Sequence, residues 1–89
     1  MRICAELSLY PLESDPIPAI VDIIHDLRGR EGLEIVTNQM STQLRGEFAA
    51  VTSAVNQAMQ RAMSGNDTVV LVVKYLNIDL PIASEPVLG

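Results

Sequence analysis

Aromatic side chains are scarce in this chain, which has one Phe, two Tyr and no Trp among 89 residues. Basic residues are also few: six Lys and Arg stand against eleven Asp and Glu, for a formal charge of −5. Arg2, Arg28, Arg30, Arg45, Arg61 and Lys74 are scattered along the sequence. A nucleic-acid partner is therefore not expected, because phosphate backbones are held mainly by clustered Lys and Arg. Cys4 is the only cysteine, which excludes an intramolecular disulfide and any CxxC metal or redox pair. No apolar run reaches the roughly 18 residues that would cross a bilayer. The first residues lack the basic-then-apolar pattern of a signal peptide. A cytoplasmic protein with no membrane partner is the expectation.

What the chain has in quantity is aliphatic surface. Hydrophobic residues make up 48% of it, in a length that accommodates one domain. A domain of this size buries only about 60–65% of its unfolded surface. Burial between subunits is the natural outlet for the remainder.

Residues 2–10 (RICAELSLY) alternate, with Ile3, Ala5, Leu7 and Leu9 on one side and Cys4, Glu6, Ser8 and Tyr10 on the other. That is a strand with one apolar face, ended by Pro11. Asp15-Pro16 reads as an N-cap and first turn of a helix over 16–29. Its predicted apolar stripe is Ile17, Ile20, Val21, Ile24 and Leu27, with Asp22, Asp26 and Arg30 turned to water. Gly29 and Gly32 offer stops. Strands follow at 33–38 and 41–46 around a tight hairpin at Asn38 to Met40. A second helix spans 48–64, with Phe48, Val51, Val55, Ala58, Met59 and Ala62 along its stripe. The cluster Ser64-Gly65-Asn66-Asp67 ends it. The last strand, 68–78, is apolar at both parities.

The order β-α-β-β-α-β predicts a ferredoxin-like α+β sandwich over residues 1–80. A four-stranded antiparallel sheet carries both helices on one face, and residues 81–89 form a C-terminal tail. One face of such a sheet lacks a helix, yet the last strand is apolar on both sides. A homo-oligomer, dimer or tetramer, packed through that sheet face is the simplest cover.

The fold alone does not give a function. RNA-recognition versions need aromatics on the two central strands, whereas the first strand offers only Tyr10 and the third has none. A phosphate-binding hydrolase would want an arginine in a glycine-rich loop after the first strand. The loop here is YPLESDPIP, with neither. His25, the single histidine, lies mid-helix and reads as structural or solvated, and Cys4 as a packing residue. No nucleophile or metal accompanies Glu6 or Glu47, so no enzyme, cofactor or metal is expected.

Two segments carry a resemblance: Ala5-Glu6-Leu7-Ser8-Leu9-Tyr10-Pro11-Leu12, and Met40-Ser41-Thr42-x-Leu44-x-Gly46-Glu47. At this spacing and strand order the chain resembles the YkoF-type thiamin- and hydroxymethylpyrimidine-binding family, over residues 2 to about 79. The resemblance implies an oligomeric, non-enzymatic protein that binds thiamin or its pyrimidine precursor. Some relatives carry two such repeats where this chain carries one, so any inter-domain surface must come from self-association.

The residues themselves suit such a ligand. An aminopyrimidine presents an amine donor and ring-nitrogen acceptors, and a thiazolium adds a charge that favours an acidic or aromatic wall. Glu6, Ser8 and Tyr10 project from one face of the first strand, and Met40, Ser41, Thr42 and Glu47 flank the third. Glu6 or Glu47 is expected to accept from the amine. Ser8, Ser41 or Thr42 then bonds the ring nitrogens, and Tyr10 packs against a ring. The competing reading is an oligomeric structural or regulatory module in which these polar residues only satisfy one another.

Overall fold

The computed structural model describes residues 1–65 and 67–89. Its elements are β1 (Arg2–Pro11), α1 (Ile17–Arg28), β2 (Leu33–Thr37), β3 (Thr42–Glu47), α2 (Phe48–Met63) and β4 (Val69–Leu76). The strands form one sheet in the order β2-β3-β1-β4, every neighbouring pair antiparallel. This is the predicted ferredoxin-like sandwich, with limits displaced by one or two residues. The turn cluster predicted at 64–67 includes Asn66, which lies outside the described residues.

Alternation along β1 sorts its side chains as expected. Ile3, Ala5 and Leu7 are buried with Leu44 of β3 against Ile23 and Leu27 of α1 and Val51, Ala54, Val55 and Ala58 of α2. Residues directly opposite one another in an antiparallel pair share a face. The helix-free face therefore carries two cross-strand rows, Arg45–Cys4–Leu76 and Gln43–Glu6–Lys74. β1 ends where Pro11 removes a donor; beyond it the Leu12 N–H donates to the Thr68 carbonyl at 2.9 Å.

The helices depart from the sequence reading in which residues they bury. In α1 the buried pair is Ile23 and Leu27, while Ile17 and Val21 are exposed. In α2 Ala54 joins the core, and Phe48 and Met59 stay outside it. The helices also bond each other. Arg61 donates two hydrogen bonds of 2.9 Å to Asp22, and Arg30 bridges Asp26 and Gln57. The face expected to meet water thus meets the neighbouring helix. The Arg61 hydrogen bonds hold the Asp22 carboxyl below its ordinary range.

Asp15 does not cap α1. Pro16 occupies the N-cap position with φ −78° and no side-chain cap, and Pro18 falls in the first turn. Proline fixes φ near the helical value and has no N–H to satisfy, so two prolines reduce what a cap must supply.

The largest departure is the segment after β4, which folds back across the helix-free face. The Asp79 carboxylate accepts from Arg45 Nε at 2.7 Å and from Arg2 Nε at 3.2 Å. The Leu80 N–H points to Cys4 Sγ at 3.3 Å, leaving Cys4 3% exposed. One end of the open face is therefore covered by the chain itself. Toward the other end Val70, Val72 and Tyr10 remain about half exposed.

Gly46 marks a close approach. A Cβ there would lie 2.8 Å from the Gly32 carbonyl and 3.3 Å from Leu33 Cδ2. Gly32 itself has φ +77°, a conformation that suits glycine. Gly46→Ala is expected to cost about 1–3 kcal/mol, as overpacking does. Gly29→Ala, whose new Cβ would meet only ordinary contacts, serves as a near-neutral control; chemical denaturation measures both.

The strap makes a second prediction. Hydrogen bonds from Arg45 and then Arg2 hold the Asp79 carboxyl below its ordinary 3.8. A carboxyl with a depressed folded value stabilises above its unfolded value and loses that contribution as pH falls through the folded one. The strap is thus fully held at neutral pH, and its contribution begins to fall below about pH 4 and is lost as pH passes through the depressed folded value. Asp79→Asn is expected to raise the rate of Cys4 labelling by dithiodipyridine at pH 7 several-fold, with an unchanged circular dichroism spectrum.

Candidate functional site

The β2–β3 hairpin is built by Asn38. Its Oδ1 accepts from the backbone N–H of Met40 at 2.8 Å and of Ser41 at 3.1 Å, and its own N–H donates to the Ser41 carbonyl at 3.0 Å. An Asn side chain that bonds the backbone two and three residues on closes a turn without needing positive φ. This hairpin overhangs the end of the sheet where β1 runs out toward Tyr10, and α1 passes alongside.

Between hairpin, β1 and α1 lies a pocket of about 240 Å³. Ile20, Ile23 and Ile24 of α1 form its apolar wall, with Leu7 and Leu9 beneath. Ser8, Thr37, Asn38, Gln39, Ser41 and Thr42 make up its polar lining, and Tyr10 and Met40 stand at the exposed rim. No charged side chain lines it among the described residues. Five of the seven site residues expected from sequence (Ser8, Tyr10, Met40, Ser41 and Thr42) thus line one cavity.

Glu6 stands just outside and is bonded to Ser41. Ser41 Oγ donates to Glu6 Oε2 at 3.0 Å, and Lys74 Nζ approaches Glu6 Oε1 at 3.4 Å. A hydroxyl whose proton is committed to a carboxylate offers its lone pairs to other donors. Glu6 therefore fixes Ser41 as an acceptor, while Lys74 offsets the carboxylate charge. On the helix side Thr37 and Thr42 hydroxyls share a hydrogen bond of 3.2 Å. One of the two keeps a free donor.

Thr42 does not share the face of Glu6 and Ser8. It lies opposite Leu7, is 7% exposed, and reaches the pocket from beneath the sheet. Glu47 is not brought to the site at all. Arg2 lies opposite it, and it sits four residues along β3 from Gln43, the neighbour of Glu6, or about 13 Å at strand rise. Its carboxylate pairs with the Met1 amine at 3.3 Å and with Arg2 at 3.9 Å. Thr37, Asn38 and the isoleucine wall escaped the sequence reading. Asn38 had a visible signal, an Asn two residues before Met40, where the Met40-Ser41-Thr42 segment starts.

The fold and pocket define a single ferredoxin-like α+β domain with a hydroxyl-lined, uncharged cavity at one end of its sheet. The family model described as the YKOF-related family matches residues 2–82, and the chain belongs to that family. Its fold is similar to that of a Streptococcus pneumoniae protein, at 27% identity and TM-score 0.80, covering 93% of this chain and 92% of that one. It is also similar to a hypothetical protein from Methanocaldococcus jannascii, at 22% identity and TM-score 0.78, covering 92% and 90%. A thiamine biosynthesis/salvage candidate from Thermotoga maritima superposes with TM-score 0.72 at 14% identity, covering 98% and 91%. No curated protein matches the sequence.

Among the described residues no helix is long and apolar enough to cross a membrane, and no three His, Cys, Asp or Glu are grouped as metal ligands. Ser41→Ala is expected to lower stability by only about 1 kcal/mol, the usual net worth of one hydrogen bond. A ligand of this pocket should lose more than that one bond's share, because Glu6 then has no hydroxyl to orient. Paired unfolding and binding titrations check the difference.

Proposed function

We propose that this protein binds a thiamin-like heterocycle without transforming it, and that the pocket under the hairpin receives the aminopyrimidine ring. One observation carries the reading: five residues singled out in sequence line a single cavity of about 240 Å³ whose polar groups are all uncharged. Membership of the YKOF-related family supports it, as does the likeness to the thiamine biosynthesis/salvage candidate. A flat ring slides between the isoleucine wall and the end of β1. Its exocyclic amine donates to Ser41 Oγ, already oriented by Glu6, and a ring nitrogen accepts from the Thr37–Thr42 pair or from Ser8. Tyr10 covers a ring face at the rim. A thiazolium, if present, extends past Met40 toward solvent, since nothing inside answers its charge.

Glu47, held at the far end of β3, has no part in this reading. The protein works as a cytoplasmic binding module, and the uncovered half of the open sheet face, with Val70 and Val72, associates with a second copy. The competing reading, a structural or regulatory module without a ligand, accounts for the same fold but gives the cavity no role.

Titration calorimetry with thiamin and with hydroxymethylpyrimidine tests the proposal, and thermal shift supports it because a ligand of the native state raises stability. Both ligands are expected to bind. Glu6→Gln should weaken them about five- to tenfold, the share of one neutral hydrogen bond whose acceptor, Ser41, is no longer held in orientation. Glu47→Gln should leave affinity unchanged. Failure of both ligands to bind the folded protein at millimolar concentration sinks the reading.

A further inference from the structure

Hydroxyl groups that line a pocket differ in whether they can change role. A hydroxyl both donates and accepts, and it turns to suit a ligand unless its proton is already engaged. In the pocket under the hairpin the Thr37 and Thr42 hydroxyls hold one another at 3.2 Å, and either can be the donor. That pair can reverse. Ser41 cannot, because its Oγ donates to Glu6 Oε2 at 3.0 Å and a carboxylate has no proton to return.

Lys74 makes the arrangement one-sided. It stands beside Glu6 in the cross-strand row of the helix-free face, and its Nζ lies 3.4 Å from Glu6 Oε1. The two oxygens of Glu6 therefore have different partners, a cation on one and a hydroxyl on the other. The Lys74 side chain is 71% exposed, so the ion pair contributes little to stability. What it fixes is a direction.

We infer that the Lys74–Glu6–Ser41 chain makes the pocket select a ring bearing an exocyclic amine over the same ring bearing an oxo group, an inference that rests on the proposed function. An aminopyrimidine edge presents an N–H donor beside a ring-nitrogen acceptor. Replacing the amine by oxo reverses both, because the exocyclic atom becomes an acceptor and the neighbouring ring nitrogen takes the proton. The threonine pair accommodates either edge. Ser41 meets the amine with a lone pair, but it meets the oxo oxygen with no proton to place between them. A buried polar group left unmatched costs more than a typical bond contributes, and a site that hydrogen-bonds a ligand group rejects the analogue lacking it. The isoleucine wall, by contrast, meets two rings of the same size and shape alike.

Lys74 decides what a change at Glu6 does. In Glu6→Gln the amide oxygen stays with Lys74 and the amide NH2 turns to Ser41. The Ser41 proton is then released into the pocket, and its polarity reverses without a change of volume.

Titration calorimetry with hydroxymethylpyrimidine and with its oxo counterpart tests this on the whole chain, with thermal unfolding as the check on folding. The wild type should favour the amine by at least about tenfold. Glu6→Gln should narrow that preference at least about fivefold, weakening the amine and strengthening the oxo ring. Adding Lys74→Met should widen it again, since the amide is then free to turn its oxygen to Ser41. A merely structural role for Glu6 would lower both affinities alike and ignore the second substitution. Three results overturn the inference while hydroxymethylpyrimidine still binds and the proposed function stands. They are a wild type that binds both rings equally well, a Glu6→Gln variant that weakens both alike, and a double variant no more selective than Glu6→Gln. If neither ring binds, the proposed function falls and takes this inference with it.

Discussion

β1 is bonded on both sides, and the other features take their places from it. It is paired to β3 through six registered positions and to β4 through eight, so its ten residues set the phase of three strands at once. Because side chains alternate with period 2, a slip of one residue would move the core set to the open face and bring Glu6 and Ser8 under the helices. The apolar face of β1, with three buried residues against both helices, penalises that slip heavily. The positions of Ser41 opposite the end of β1, of Lys74 beside Glu6, and of Arg45 beside Cys4 are consequences of that one choice of phase.

The same strand explains why a pocket forms where it does. β1 extends past the last residue of β3 that pairs with it, so Ser8 to Tyr10 project beyond Leu7–Thr42 with only β4 beside them. The hairpin and α1 close over this overhang without filling it. An aliphatic wall facing a row of hydroxyls gives an orienting site for a flat polar heterocycle.

Much of this was legible in the chain because it rests on local rules. Alternation in RICAELSLY, the glycines after α1 and the two prolines before it place each element to within one or two residues. The helix stripes were read less well. Ile17, Val21, Phe48 and Met59 look equivalent to core residues by periodicity, and which stripe turns inward depends on how the helices pack on the sheet and on each other. Asp79 was illegible for a similar reason: its partners, Arg45 and Arg2, are 34 and 77 residues away. Glu47 was grouped with the site because it closes a motif that begins at Met40. A six-residue strand, however, carries the two ends of such a motif to opposite ends of the sheet.

The strap and the β1–β4 ladder also bear on how the chain reaches this fold. Cys4 pairs with Leu76, 72 positions later, and Arg2 with Asp79, at a separation of 77. Contacts of that span close only after the intervening chain has lost its freedom, and such topologies fold more slowly than those built from neighbours. The β2–β3 hairpin and the two helices form from local contacts, whereas β1 keeps one bare edge until the last strand arrives. Closure of the sheet and fastening of the strap are thus late, coupled events. Until they occur, the central strand keeps an unpaired edge, the kind of transient exposure that favours aggregation.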